Sequence, residues 1–197
     1  MRISLFILFF HLTFTLCAQE FYTRTAHVHV KSDNRIKSIE ADNYQVIAFL
    51  SLESGDIRFE GLLRSFEFRL GALDRVYNSR NIDISEYPSI LFEGKAINID
   101  EFDLNSSKTQ TLRVKGNLFI WDEKRVTEVD VNVIVRPGNI LDVVSAFNMR
   151  IEEQSVDKLN QLMRDRLPKS ININTSKLGV SRDIEVDVKM KMGLKNW

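Results

Sequence analysis

The stretch Asp183–Met192, DIEVDVKMKM, alternates without a break. Ile184, Val186, Val188, Met190 and Met192 fall on one side; Asp183, Glu185, Asp187, Lys189 and Lys191 fall on the other. Successive side chains of a strand point to opposite faces, so this run is a strand with one dry and one wet face. A chain built from such strands must bury their dry faces together, in a sandwich or a barrel. Residues 126–135, VTEVDVNVIV, set Val129, Val131, Val133 and Val135 against Glu128, Asp130 and Asn132. Residues 111–120, TLRVKGNLFI, place Leu112, Val114, Leu118 and Ile120 on one face, with Arg113, Lys115 and Asn117 opposite.

Weaker strands precede and follow these. Residues 25–30, TAHVHV, alternate, and 44–52, YQVIAFLSL, are apolar on both faces. Residues 55–70, GDIRFEGLLRSFEFRL, read as two strands or as one long strand bent around Gly61. Residues 90–99 and 140–151 complete the set, and R-P-G-N at 136–139 has the composition of a hairpin turn. The total is about eight to ten strands at short, fairly even spacing, which predicts an all-β fold. In YPSILFEG (87–94), Pro88 fixes the start of a strand and Gly94 marks a bend or a close backbone approach within it. Two stretches break the period of two. Residues 72–78 suit a short helix, and 155–167 place Val156, Leu159, Met163 and Leu167 at helical spacing before Pro168.

The first 18 residues, MRISLFILFFHLTFTLCA, join one basic residue to an apolar block and a small-residue end. They read as a signal peptide, with residues 19–197 as one mature domain in the periplasm or outside the cell. The apolar block is short of the roughly 20 residues that span a bilayer. Lipidation of Cys17 is the other reading of this end, although Leu16 is larger than the residue that usually precedes a lipidated cysteine. Cleavage after Ala18 removes Cys17, the single cysteine, and leaves a charge of −1 because Arg2 goes with it. The mature chain then has no disulfide and depends on packing and hydrogen bonds. The 27 basic and 27 acidic residues balance, so nothing attracts a nucleic-acid backbone.

Candidate chemistry is sparse. His27 and His29 share one strand face, too few ligands for a zinc site, so no metal is expected. No G-x-S-x-G occurs, and no histidine of the mature chain lies outside that strand, so no catalytic set is visible and no enzyme is expected. Glu67 between Phe66 and Phe68 reads as an outward residue between two inward ones. The sequons at Asn105 and Asn174 matter only where such sites are glycosylated.

The order of motifs resembles that of the YceI-like family, secreted bacterial proteins of lipocalin-like barrel fold that bind polyisoprenoids. The likeness rests on GDIRF and FEF, then YPSILFEG, then VKGNLFIWDEKRVTEVDVNV, then DIEVDVKMKM, and spans residues 25–192. It departs at Asp122-Glu123-Lys124, where the family usually has glycine and threonine. The resemblance implies a lipocalin-like antiparallel barrel of about eight strands, with one or two short helices. It also implies a polyisoprenoid, isoprenoid quinone or similar apolar lipid as ligand, with no cofactor. Joined to the alternation, it implies a lining of Phe59, Phe66, Phe68, Phe92, Val114, Leu118, Ile120, Val129, Val131, Val133, Phe147, Val186 and Val188. The competing reading is an interaction domain with a filled core and a docking helix at 155–167. Transient membrane-surface contact and homodimerisation stay open.

Overall fold

The structure is a computed structural model; it describes residues 19–33, 38–71, 74, 75, 88–121, 123–153, 157, 160, 161 and 180–195. The strands are β1 (Glu20–Ser32), β2 (Ile39–Ser51), β3 (Asp56–Leu62), β4 (Phe66–Phe68), β5 (Ser89–Ala96), β6 (Gln110–Ile120), β7 (Glu123–Arg136), β8 (Ile140–Arg150) and β9 (Asp183–Leu194). All pairings are antiparallel, in the order β1-β9-β8-β7-β6-β5-β3-β2-β4, and β1 pairs with β2 to close the sheet. β3 and β4 both lie along β2, against Val46–Leu50 and Ala41–Asn43 respectively. They are one strand position interrupted by a 3-10 turn at Leu63–Ser65, so the barrel has eight positions. Residues 55–70 are thus two strands, broken after Gly61 rather than bent at it.

Closing a sheet needs strands that coil, and the pairing of β1 with β2 shows where they do so. Arg24 and Thr25 of β1 together oppose Ile47, and Tyr44 and Gln45 of β2 together oppose His27. After the second bulge the phase of β2 holds from Val46 to Leu50, with Val46, Ala48 and Leu50 buried and Ile47 exposed on the outer face. Asn43, fully buried, fastens the second bulge. Its amide donates to the Leu62 carbonyl (2.9 Å), and its carbonyl oxygen accepts the Gln45 N–H (2.9 Å).

The predicted turn at 136–139 joins β7 to β8, with Gly138 and Asn139 both at positive φ (82° and 55°). The ends of the described chain at Glu20 and Lys195, residues 52–55, the segment from the 3-10 turn Ile99–Glu101 to β6, and this hairpin share one end, here called the base. The rim, at the other end, holds the ends of β1, β4, β6 and β8 and the starts of β2, β7 and β9. The base is filled: Phe21 and Leu141 are wholly buried there, with Val135 and Met192 in the same cluster and Phe102 and Leu104 packed against it. The helices expected over 72–78 and 155–167 fall mostly outside the described residues; Asp74, Arg75, Asp157, Asn160 and Gln161, which are described, are helical. The leader and the sequon at Asn174 also lie outside them. Among the described residues, no helix is long and apolar enough to cross a membrane.

The wall between β5 and β6 answers what Gly94 is for. Gly94 pairs directly with Gly116, and both occupy inward positions. A Cβ on Gly94 would stand 2.8 Å from the Gly116 Cα and 2.8 Å from the Phe92 Cζ. The two backbones approach closely, and the Phe92 ring lies over the place where a side chain would be. This is the covering of a glycine by a neighbouring aromatic that lets a sheet curl.

Candidate functional site

Inward residues of all eight positions enclose a cavity of about 180 Å³. A single water needs roughly 10–15 Å³ on such a measure, so this is space for many. Its 28 lining residues are apolar but for Thr127 and Ser145, and none of them titrates. Of the lining expected from sequence, Phe59, Phe66, Phe92, Val114, Leu118, Ile120, Val129, Val131, Val133, Phe147, Val186 and Val188 face this cavity.

Phe68 does not. It shares strand and phase with Phe66 but lies two residues nearer the rim. There Phe68 packs both against Ile39 and Val180 and against the larger cluster that holds Phe66 and Val186. Sequence reasoning left out Val28, Val30, Val46, Ile90, Met149, Met190 and Met192 among others. The alternation of TAHVHV and DIEVDVKMKM carried the signal for several of them. Thr127 and Ser145 carried none, since a polar residue in an inward phase reads as an irregularity.

The seam between β7 and β8 differs from its neighbours. β6 pairs with β7 from Gln110↔Val133 to Ile120↔Glu123, and β8 with β9 from Leu141↔Met192 to Arg150↔Asp183. Between β7 and β8 the register runs only from Arg136↔Ile140 to Asn132↔Val144. Beyond that point the Ser145 hydroxyl donates to the Asp130 carbonyl oxygen at 2.8 Å. Nearer the rim, Arg125 reaches Glu152, just after β8, at 3.2 Å. The Glu152 N–H also donates to Glu123 Oε2 of β7 at 3.3 Å, so side-chain contacts take the place of a ladder along the rimward half of this wall.

A rim recess of about 510 Å³ adjoins the cavity at Met149. Its charged residues are Lys31, Arg150, Asp33, Asp183 and Glu185, one acid more than its bases. Two hydrogen bonds, to Asp33 and Glu185, raise the Lys31 pKa.

On the outer wall, the two histidines have a structural task. His27 Nε2 and His29 Nδ1 both lie on Asp42 Oδ1, at 2.8 and 2.9 Å, and Arg69 donates to Asp42 Oδ2 at 3.3 Å. His27 also stacks on Tyr44 (centroids 4.4 Å apart), across the second bulge. Burial alone would raise the Asp42 pKa, but the hydrogen bonds from His27, His29 and Arg69 outweigh it and hold the carboxyl below its ordinary value. A depressed folded-state pKa gives stability that is present above the unfolded value and is lost as pH falls through the folded one. Asp42→Asn is thus expected to melt lower than the native chain at neutral pH. The gap should narrow only below about pH 4. Melting curves from about pH 7 to about pH 2 check this; a gap that ignores pH would mean that the Asp42 charge contributes nothing.

No protein-family model and no curated protein matches the sequence. Solved structures do match. A polyisoprenoid-binding domain from Saccharophagus degradans, implicated in plant cell wall breakdown, superposes with a TM-score of 0.71 at 12% identity, over 90% of this chain and 99% of that one. The chain has the fold of that domain. BcnA of Burkholderia cenocepacia follows, with a TM-score of 0.52 at 13% identity, over 85% of this chain and 96% of that one. A YceI protein of Campylobacter jejuni aligns over 100% of this chain and 99% of that one, but with a TM-score of 0.43 and 10% identity it adds no argument.

Proposed function

We propose that this chain is a YceI-like carrier that holds a polyisoprenoid or similar long apolar lipid in its barrel, outside the cytoplasm, without catalysis. The observation that carries the reading is the cavity: its walls are apolar on every strand position and it sits in a fold shared with a polyisoprenoid-binding domain. A prenyl chain entering it exchanges water for apolar wall at about 25 cal/mol per Å² buried, partly offset by the ordering of its rotors. Binding without chemistry is supported by the lining set, because a nucleophile such as Ser145 needs a base beside it, and no His, Asp, Glu or Lys is among these residues.

The test is mass spectrometry of an organic extract of the purified protein, beside a Val131→Asp variant confirmed to be folded. Val131 lines the cavity, and a carboxylate there has no partner to offset its lost hydration. A stoichiometric prenyl lipid or quinone in the native extract, absent from the variant, is the expected result. Lipid retained by the folded variant would show that Val131 does not face the ligand. An empty native extract would favour the interaction domain, with the packed base as a core that continues through the barrel.

A further inference from the structure

The cavity accounts for only one face of β2. Val46, Ala48 and Leu50 line it, and the residues between them face outward without a task there. On β9 the outward positions hold Asp183, Glu185, Asp187, Lys189 and Lys191, as a wet face should. On β2 they hold Ile47, exposed to 43%, and Tyr44, which the second bulge turns outward at 54%. Leu62 of β3, on the same wall, is 46% exposed. Phe49 is the covered member of the row, with the Lys195 Nζ over its ring at 5.7 Å. Large apolar and aromatic side chains grouped on one wall and ringed by charge have the composition of a protein interface.

The charges around Ile47 say what would cover it. On the β1 side the first bulge sets Arg24 beside Ile47, and on the β3 side Ile47 pairs with Glu60. One row across the three strands therefore reads cation, apolar, anion. Arg24 lies over the Tyr22 ring, donates to the Tyr22 hydroxyl and meets no carboxylate among the described residues. Glu60 is shared only with Arg58 of its own strand, an exposed pair at 3.3 Å that gives way easily to a second cation.

A row with that order of signs is complementary to itself. A two-fold axis running along β2 lays Ile47 on the partner's Ile47 and brings each Arg24 to the partner's Glu60. The next row toward the base agrees. It reads Tyr22, Phe49, Arg58, so the same axis brings the Tyr22 ring to the partner's Arg58. An axis running across the strands would set Arg24 on the partner's Arg24 instead. We propose that the outer face of β1, β2 and β3 around Ile47 is an interaction surface, and that its partner is a second copy of this chain in a two-fold dimer. The proposal is independent of what the cavity holds.

The experiment is sedimentation equilibrium of the native chain and of Arg24→Glu, Glu60→Arg, the double reversal and Ile47→Ser, each with a melting curve to confirm folding. The native chain is expected to be dimeric at about 1 mM and to dissociate on dilution to about 1 μM, the range of a small interface. Arg24→Glu should weaken the dimer about tenfold or more, because it sets like charges face to face at two symmetric places. Glu60→Arg should do the same, and the double reversal should restore most of the native affinity. Ile47→Ser should leave a monomer, and it keeps the proposal testable if Glu60→Arg fails to fold. A native chain that is monomeric throughout would overturn the proposal, whatever else binds this wall. A dimer that ignores Ile47→Ser would place the contact elsewhere. Single reversals that weaken the dimer without rescue by the double would overturn the facing of Arg24 and the partner's Glu60.

Discussion

Gly116→Ala is expected to destabilise the barrel by about 3 kcal/mol or more, at the upper end of what overpacking costs. The added methyl carbon would meet the Glu93 carbonyl oxygen and stand 2.5 Å from the Gly94 Cα. Both are backbone atoms of the facing strand, so no side-chain rotation relieves the clash. Strand β5 would have to move away from β6, and six consecutive pairs, Leu91↔Phe119 to Ala96↔Val114, hold it there. For a domain of this size such a loss lowers the melting temperature by about 6–12 °C. Gly94→Ala meets the same backbone and also the Phe92 ring. The double variant should cost less than the two single ones together, since either alone already forces the strands apart. Thermal and urea melts of the three variants check this. A Gly116→Ala protein that melts with the native chain would show that the two strands are further apart than described.

Phe21→Ala is expected to cost about 3–5 kcal/mol. The first residues of a domain usually fray, and a substitution there is usually mild. Phe21 is the second residue of β1, yet it is 0% exposed and belongs to the cluster that fills the base. Its backbone is held on both sides, opposite Leu50 and Leu194. The ends of the described chain are tied together beside it, because the Lys195 N–H donates to the Glu20 carbonyl at 2.7 Å. Removing the ring leaves a void that this pinned backbone cannot collapse to fill. Denaturant unfolding measures the loss. A cost under about 1 kcal/mol, the range of a change at a solvent-exposed site, would mean that the base is not a packed floor.

Much of the barrel was legible because alternation reports the face directly. In residues 111–120, 126–135 and 183–192 the apolar inward residues were assigned from period alone, and Thr127 and Gly116 were not. Alternation does not report height along the barrel, which is why Phe68 was placed with Phe66. The 3-10 turn at Leu63–Ser65 sets their strand apart from β3, and no feature of LLRSFEF announces it. Changes of phase within β1 and β2 were equally hidden, since a bulge shows only in the pairing of two strands. The Asp42 cluster needed that pairing too. His27 and His29 could be placed on an outer face, but the carboxylate they share comes from a strand whose register the sequence does not give. Thr127 was the least legible. Its buried hydroxyl has no hydrogen-bond partner among the described residues, and that is a property of its neighbours.

A fully laddered barrel has its girth set by strand number and stagger, so its interior admits what fits the resting space and little else. This barrel is laddered around most of its circumference but only to Asn132 and Val144 along one wall. Near the rim that wall is joined by the side-chain contacts of Ser145, Arg125 and Glu123 and not by a backbone ladder. Along the rimward half of this wall the girth of the cavity is therefore set by side chains and not by backbone pairing.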